Sequence, residues 1–231
     1  MKIILSPSKT ASYCRDERLQ DAPLFDATKT ANLVTTLARM SKVRLGKALS
    51  VKGDILDQTY QAYKNFTNSD THHAFSSYTG LVFKQLNRED YDEEMMNYVR
   101  NHVRILDALY GVLEPGSLIA PYRLDMKAKL KQDLYAYWNL DPVFDGETVI
   151  NLASNEFSKM LTVPMITVQF LQQKNGKLVN QATYAKMGRG MVLDYMIQNQ
   201  ITSIDDIKQW SQDGYRFDPD ASNETTITFT R

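Results

Sequence analysis

Ser6, Ser8 and Lys9 stand together in Ser6-Pro7-Ser8-Lys9-Thr10, directly after the apolar run Ile3-Ile4-Leu5. Two hydroxyls, an ammonium and free backbone N–H groups at a strand end suit an anion. The spacing also fits the S-x-x-K of penicillin-binding enzymes. That chemistry needs the serine at a helix start, with S-D-N and K-T-G partners. Ser-Asp-Asn is absent, Lys9-Thr10-Ala11 is not K-T-G, and Pro7 disturbs a helix, so acyl transfer of that kind is set aside.

A second cluster is Tyr184-Ala185-Lys186-Met187-Gly188-Arg189-Gly190. It offers G-x-G without a third glycine and does not follow the first strand, which excludes a dinucleotide fingerprint. Read as the opening of a helix, its two glycines let backbone approach a ligand while Lys186 and Arg189 supply charge. The alternative is a structural turn with two solvent-facing cations. Asn151-Leu152-Ala153-Ser154-Asn155-Glu156 sits where a strand leaves for a helix, the place where ligands of open α/β sheets collect. There Asn151 and Ser154 could hold phosphate and Glu156 could act as general acid or base. Equally, Ser154 could cap the helix and Glu156 complement its dipole. Tyr122-Arg123 sets a guanidinium beside an aromatic ring, for a phosphate or for an acid such as Asp125.

Metal chemistry is poorly supplied. The histidines are His72, His73 and His102, and no C-x-x-C, H-E-x-x-H or E-x-x-H occurs. His72 and His73 on a strand point to opposite faces and would not chelate together. No metal site and no cofactor are expected.

The 27 basic and 27 acidic side chains cancel, which argues against a dedicated nucleic-acid binder. Their distribution is less even. Lys29, Arg39, Lys42, Arg44, Lys47 and Lys52 fall between Ala27 and Gly53 with no acid among them. Lys159, Lys174, Lys177, Lys186 and Arg189 fall between Phe157 and Leu193, again without an acid. Such segregation creates a local positive field on a neutral molecule, unless folding mixes the faces.

These residues need elements to position them. Lys2–Ser6 reads as a buried strand and Thr28–Met40 as a helix capped by Thr28. The basic stretch Ser41–Gly53 has turn glycines, and a second helix spans Asp54–Phe66. Ala74–Tyr78 reads as a strand, Gly80–Leu86 as a short helix, and Glu89–His102 as an acidic-fronted helix. Val103–Tyr110 is a strand, Gly111–Pro121 a loop, and Val149–Leu152 a strand running into a short helix. Met165–Gln172 and Lys177–Tyr184 flank Asn175-Gly176, a hairpin signal. Lys186–Gln200 is helical, and two short strands end the chain. Strands and helices interleave without a strict βαβ repeat. The fold is therefore a mixed sheet with flanking helices, α/β or α+β, in one unit over residues 1–231.

At 231 residues the chain can bury a core without disulfides or metal. Cys14 has no partner, which fits a reducing compartment. The first residues lack the long apolar core of a signal peptide, and no run reaches the ~18–20 residues of a membrane span. A cytoplasmic protein without membrane contact is expected.

Several blocks resemble the YaaA family of bacterial peroxide-stress proteins. They are Ile3–Thr10, Tyr78–Leu81, Arg104–Leu113 through Pro121–Met126, Asp133–Tyr135, Tyr137-Trp138, Val149–Ser154, Tyr184–Lys186, Arg189-Gly190 and Gly214-Tyr215. They fall in order across nearly the whole chain. The resemblance implies a compact mixed fold with a positively charged cleft, a helix-hairpin-helix element, DNA binding, and a role in limiting iron-dependent peroxide damage. The hairpin is placed in Arg39–Gly53, within residues 28–66, where it would grip backbone phosphates without reading sequence. DNA or phosphate contacts are then expected from Lys9, Lys42, Arg44, Lys47 and Lys52, and from Tyr122, Arg123, Asn151, Ser154, Lys186 and Arg189. The rival is an enzyme acting on a nucleotide or flipped nucleobase, with Glu156 as acid/base and Lys9 or Ser6 as nucleophile. An iron-handling protein is the third and weakest class.

Overall fold

The computed structural model describes residues 1–231. The first strand, Lys2–Leu5 (β1), leaves Ile3, Ile4 and Leu5 with no exposed surface, as a strand buried on both faces must. Three helices follow a long loop: Ala27–Ala38 (α1), Lys42–Leu49 (α2) and Gly53–Lys64 (α3). His72–His73 (β2) runs into one helical turn, Ala74–Ser77 (α4). Glu93–His102 (α5) leads directly into Val103–Asp107 (β3), which reverses into Gly111–Leu113 (β4). Leu118–Ile119 (β5) pairs antiparallel with β2 as a separate ribbon.

The second half begins with Leu134–Tyr137 (α6), then Val149–Asn151 (β6) and the turn Asn155–Ser158 (α7). Met165–Lys174 (β7) and Lys177–Val179 (β8) form a hairpin in which Asn175 and Gly176 both carry positive φ, the turn their pairing demands. Ala182–Gln198 (α8), Ile204–Ile207 (α9), Arg216–Phe217 (β9) and Thr226–Thr230 (β10) complete the chain.

The large sheet is mixed, in the order β4-β3-β1-β6-β7-β10-β9, with β8 paired to β7. From β3 to β10 neighbouring strands are parallel; β4 and β9 close the edges antiparallel. The expected mixed α/β class is what the chain adopts. After β1 the sheet grows toward β3 and β4, then resumes on the other side of β1 with β6. Such a reversal leaves a crevice outside the carboxyl ends of β1 and β6.

Several elements differ from expectation. Asp26, not Thr28, caps α1, its carboxylate accepting from the Lys29 N–H at 2.8 Å. The basic stretch folds into α2, capped by Ser41, and Ser50-Val51-Lys52 join it to α3. Ala74–Tyr78 is a helical turn because the Arg88 guanidinium takes the carbonyls of Phe75, Ser76 and Tyr78, which a sheet partner would otherwise need. Gly80–Leu86 holds only the 3-10 turn Phe83–Gln85. The supposed loop Gly111–Pro121 contains β4 and β5, strands too short to show a period. Lys177–Tyr184 is strand only to Val179, and the following helix begins at Ala182. Gly188 and Gly190 therefore lie inside α8, not at its opening. A Cβ on Gly188 would stand 2.3 Å from the Phe170 ring, and one on Gly190 2.2 Å from the Val82 carbonyl oxygen. Their role is to let α8 lie close on β7 and on the 82–85 segment.

Candidate functional site

The crevice between β1 and β6 is built by two loops clipped together. The Ser6 hydroxyl accepts from the Ser154 N–H at 2.9 Å and donates to the Ser154 hydroxyl at 3.2 Å. Ser154 thus holds the N-cap position of α7 without using its side chain as the cap. Asn151 works from below. Its side-chain oxygen accepts from the Ala153 N–H at 2.9 Å, and its amide donates to Thr167 Oγ1 at 3.1 Å. Almost fully buried, Asn151 shapes the β6–α7 turn from beneath and does not line the cleft. Gly80 brings a third loop in, since a Cβ there would stand 2.4 Å from Ser8 Oγ.

The resulting cleft has a volume of about 410 Å³ and is lined by Ser6–Thr10, Gly80–Phe83, Asp125, Leu152, Ser154, Glu156, Phe157, Lys186 and Arg189. A small adjoining hollow of about 50 Å³ shares Pro7, Ser8, Lys9, Asp125 and Phe157 and adds Tyr122 and Arg123. Five segments scattered over the sequence meet here.

Charge in the cleft is incompletely paired. At the mouth the Lys9 ammonium lies 2.8 Å from Asp125, with most of the lysine side chain in solvent. Lys186 is exposed on the rim. Arg189 is different: its Nε is buried with no hydrogen-bond partner, and burial pushes the guanidinium below its ordinary pKa. Glu156 lines the same cavity, and its Oε1 is likewise buried and unpartnered. A buried donor or acceptor left unsatisfied costs about 1–3 kcal/mol unless something pairs with it.

Under the 121–125 segment lies a polar knot that sequence reading passed over. Asp107, at the end of β3, is fully buried and accepts from the N–H groups of Leu109 (2.7 Å) and Tyr110 (3.0 Å) through one oxygen. The Tyr122 hydroxyl donates to the other, and the Tyr78 and Tyr122 hydroxyls share a bond of 2.7 Å. Burial pushes the Asp107 carboxyl up to about 6, against the hydrogen bonds that pull it down. Tyr122 therefore presents only its ring toward the hollow, while its hydroxyl anchors the chain before Arg123. An acid closing the apolar strand Val103–Asp107 was the signal available in the sequence.

The remaining expected cations lie elsewhere. Arg44 and Lys47 of α2 join Lys129 and Lys131 around a second hollow of about 510 Å³ over Leu33, Met40 and Leu130, and no acid lines it. Lys129 and Lys131 are not among the contacts expected from sequence. Lys42 pairs with Asp57 at 2.5 Å, and Lys52 stands exposed where α3 begins. The sequence set thus divides between the sheet crevice and the face of α2. No group of three or more His, Cys, Asp or Glu side chains is placed to hold a metal ion, and no helix is long and apolar enough to cross a membrane.

Comparison with known proteins places the whole chain in one company. Residues 1–221 match the family model described as peroxide stress protein YaaA. A UPF0246 protein of Agathobacter rectalis is 35% identical over 248 residues, covering all of this chain and 99% of the relative. UPF0246 proteins of Fusobacterium nucleatum (33% over 248 residues) and Legionella pneumophila (31% over 257 residues) also align over the full chain and 99% of their own lengths.

Proposed function

The chain belongs to the peroxide stress protein YaaA family, and we propose that it serves the stress response by binding DNA without reading sequence, so limiting iron-dependent oxidative damage. The observation that carries this reading is Arg189, half-buried in a cleft open to solvent, with its Nε buried and unpartnered and no acid paired with it. A phosphate oxygen is the acceptor it lacks, and Arg matches phosphate geometry. Lys186 at the rim and Arg123 in the adjoining hollow add charge to the same anion. The face of α2, with Arg44, Lys47, Lys129 and Lys131, is a second footing for the backbone. We read α2, Ser50-Val51-Lys52 and α3 as the helix-hairpin-helix element, with positive φ at Ser50 and Gly53 making the reversal. Contacts of this kind hold phosphates and carry no sequence information.

Neutralising phosphates supplies a route to protection. Each Lys or Arg that engages a phosphate releases condensed cations from the DNA. Ferrous ions held in that atmosphere are released with the rest, so peroxide meets iron away from the bases. The test is plasmid nicking by ferrous iron and peroxide, run beside titrations with duplex, bubble and single-stranded DNA of unrelated sequences. Equal affinity across sequences, and protection that tracks occupancy, are expected. Absence of DNA binding at low salt would overturn the reading.

One observation favours the enzyme alternative, a reaction on a nucleotide or flipped nucleobase in the same cleft. Glu156 lines that cleft with one carboxyl oxygen unpartnered, a carboxyl free to serve as general acid or base. The nucleophile candidates fit less well: Lys9 is paired with Asp125, and the Ser6 hydroxyl is committed to Ser154. Product formation abolished by Glu156→Gln in the same titrations would favour this alternative over a DNA shield.

A further inference from the structure

We propose that the cleft accepts one nucleotide unit, its phosphate on Arg189 and an N–H or O–H donor of its base or sugar on Glu156. The inference rests on the reading that this cleft receives phosphate, and adds what must accompany it. Two residues that line one cavity each hold a buried polar atom without a partner, and the demands of those atoms are opposite. The Arg189 Nε–H needs an acceptor; the Glu156 oxygen needs a donor. They do not satisfy each other. Each costs free energy until a ligand supplies what it lacks.

That pair of demands selects among ligands. Inorganic phosphate, or a run of DNA backbone, offers acceptors to Arg189 but sets its negative charge in the same cavity as the Glu156 carboxylate. A nucleoside offers donors to Glu156 and leaves Arg189 unpaired. A nucleotide carries both functions on one rigid frame. The cavity volume, about 410 Å³, lies within the range of small-ligand sites. Phe157 and Leu152 give the cleft an apolar wall for the face of a base, and Lys186 stands at the rim where a second phosphate oxygen would be reached. The same chemistry comes from two sources: a free nucleoside monophosphate, or a nucleotide swung out of a DNA strand.

Calorimetric titration of the whole protein with AMP, adenosine, ribose 5-phosphate and inorganic phosphate tests the selection. A parallel set uses DNA hairpins carrying one unpaired nucleotide or an abasic unit at the same position. AMP, or the unpaired nucleotide over the abasic one, is expected to bind about tenfold or more tighter than the partial ligands, the worth of one hydrogen bond to a charged group. Glu156→Ala should lose that margin while phosphate binds as well or better, Glu156→Gln should restore part of it, and Arg189→Met should weaken AMP and phosphate together. Thermal unfolding of each variant checks the fold. Preference in the free-ligand arm alone identifies a free nucleotide; preference in the DNA arm alone identifies a strand nucleotide. If Glu156→Ala tightens AMP and phosphate equally, or if neither AMP over phosphate nor the unpaired nucleotide over the abasic unit is preferred, the carboxylate is only a repulsive neighbour and the proposal falls. Duplex binding that survives such a result leaves the DNA reading intact; nucleotide binding without any DNA binding removes the DNA reading and keeps this one.

Discussion

Asp107 shows what burial does to a single carboxyl. Its pKa stands near 6 in the fold against 3.8 for the free group, because desolvation outweighs four hydrogen bonds. Below about pH 4 both folded and unfolded chains hold the proton. Between about 4 and 6 the folded state keeps a proton the unfolded chain has released, so stability falls as pH rises. Above about 6 the full cost is present, on the order of 3 kcal/mol. Asp107→Asn removes this dependence. Chemical denaturation at about pH 4.5 and about pH 7.5 should show wild type losing ground to the variant at the higher pH. An unchanged difference between the two proteins would refute the assignment. Carboxyls held low by cations, such as Asp16 beside Arg18 and Glu147 at the amino terminus, act in the opposite sense but cancel in the comparison. At this scale the sequence showed which residue types could meet: Ser6, Lys9, Ser154, Glu156, Lys186 and Arg189 do line one cleft. It could not show that Arg189 is half-buried and Lys186 exposed, because adjacent turns of one helix look alike in sequence. Asn151 lies beneath the cleft lining, and an asparagine at a strand end serves a turn as readily as a ligand.

At the scale of elements, the glycines of α8 carry the lesson. In sequence they looked like a ligand cradle; in the fold they are sites of close approach. Gly188→Ala should raise intrinsic helix propensity by roughly 1 kcal/mol. Its Cβ would nevertheless meet the Phe170 ring at 2.3 Å, inside a cluster of Trp210, Tyr215 and Phe229 that leaves the ring little freedom. Overpacking of that kind costs about 1–3 kcal/mol, so the variant should melt lower than wild type in a thermal scan. A rise in melting temperature would show that the helix does not lie this close on β7. Long elements were legible: α1, α3, α5 and β7 follow their apolar periods. The two- and three-residue strands β2, β4 and β5 were not, because strands so short exist only through their partners. The α2 helix was hidden by its charge, since Lys42, Arg44 and Lys47 face solvent and only Leu45, Gly46 and Ala48 are buried.

For the whole molecule, a formal charge of zero conceals where the partners are. Many acids sit beside cations on their own elements, as Glu93 with Arg100 and Asp205 with Lys208. Lys186 and Arg189 in the β1–β6 crevice, and Arg44 and Lys47 on the α2 face, are left over. Sequence reading found both basic segments, but pairing is a property of three dimensions. The crevice itself follows from strand order, which no local pattern encodes. The central claim is that these leftover cations meet the phosphates of nucleic acid. It is tested most directly by the slope of log affinity against log salt for one DNA ligand. Lys186→Ala and Arg189→Met should each reduce that slope by about 0.7–0.9, and Arg44→Ala with Lys47→Ala by about twice as much. Slopes unchanged in the Lys186 and Arg189 variants would mean that no phosphate enters the cleft, and would contradict the account.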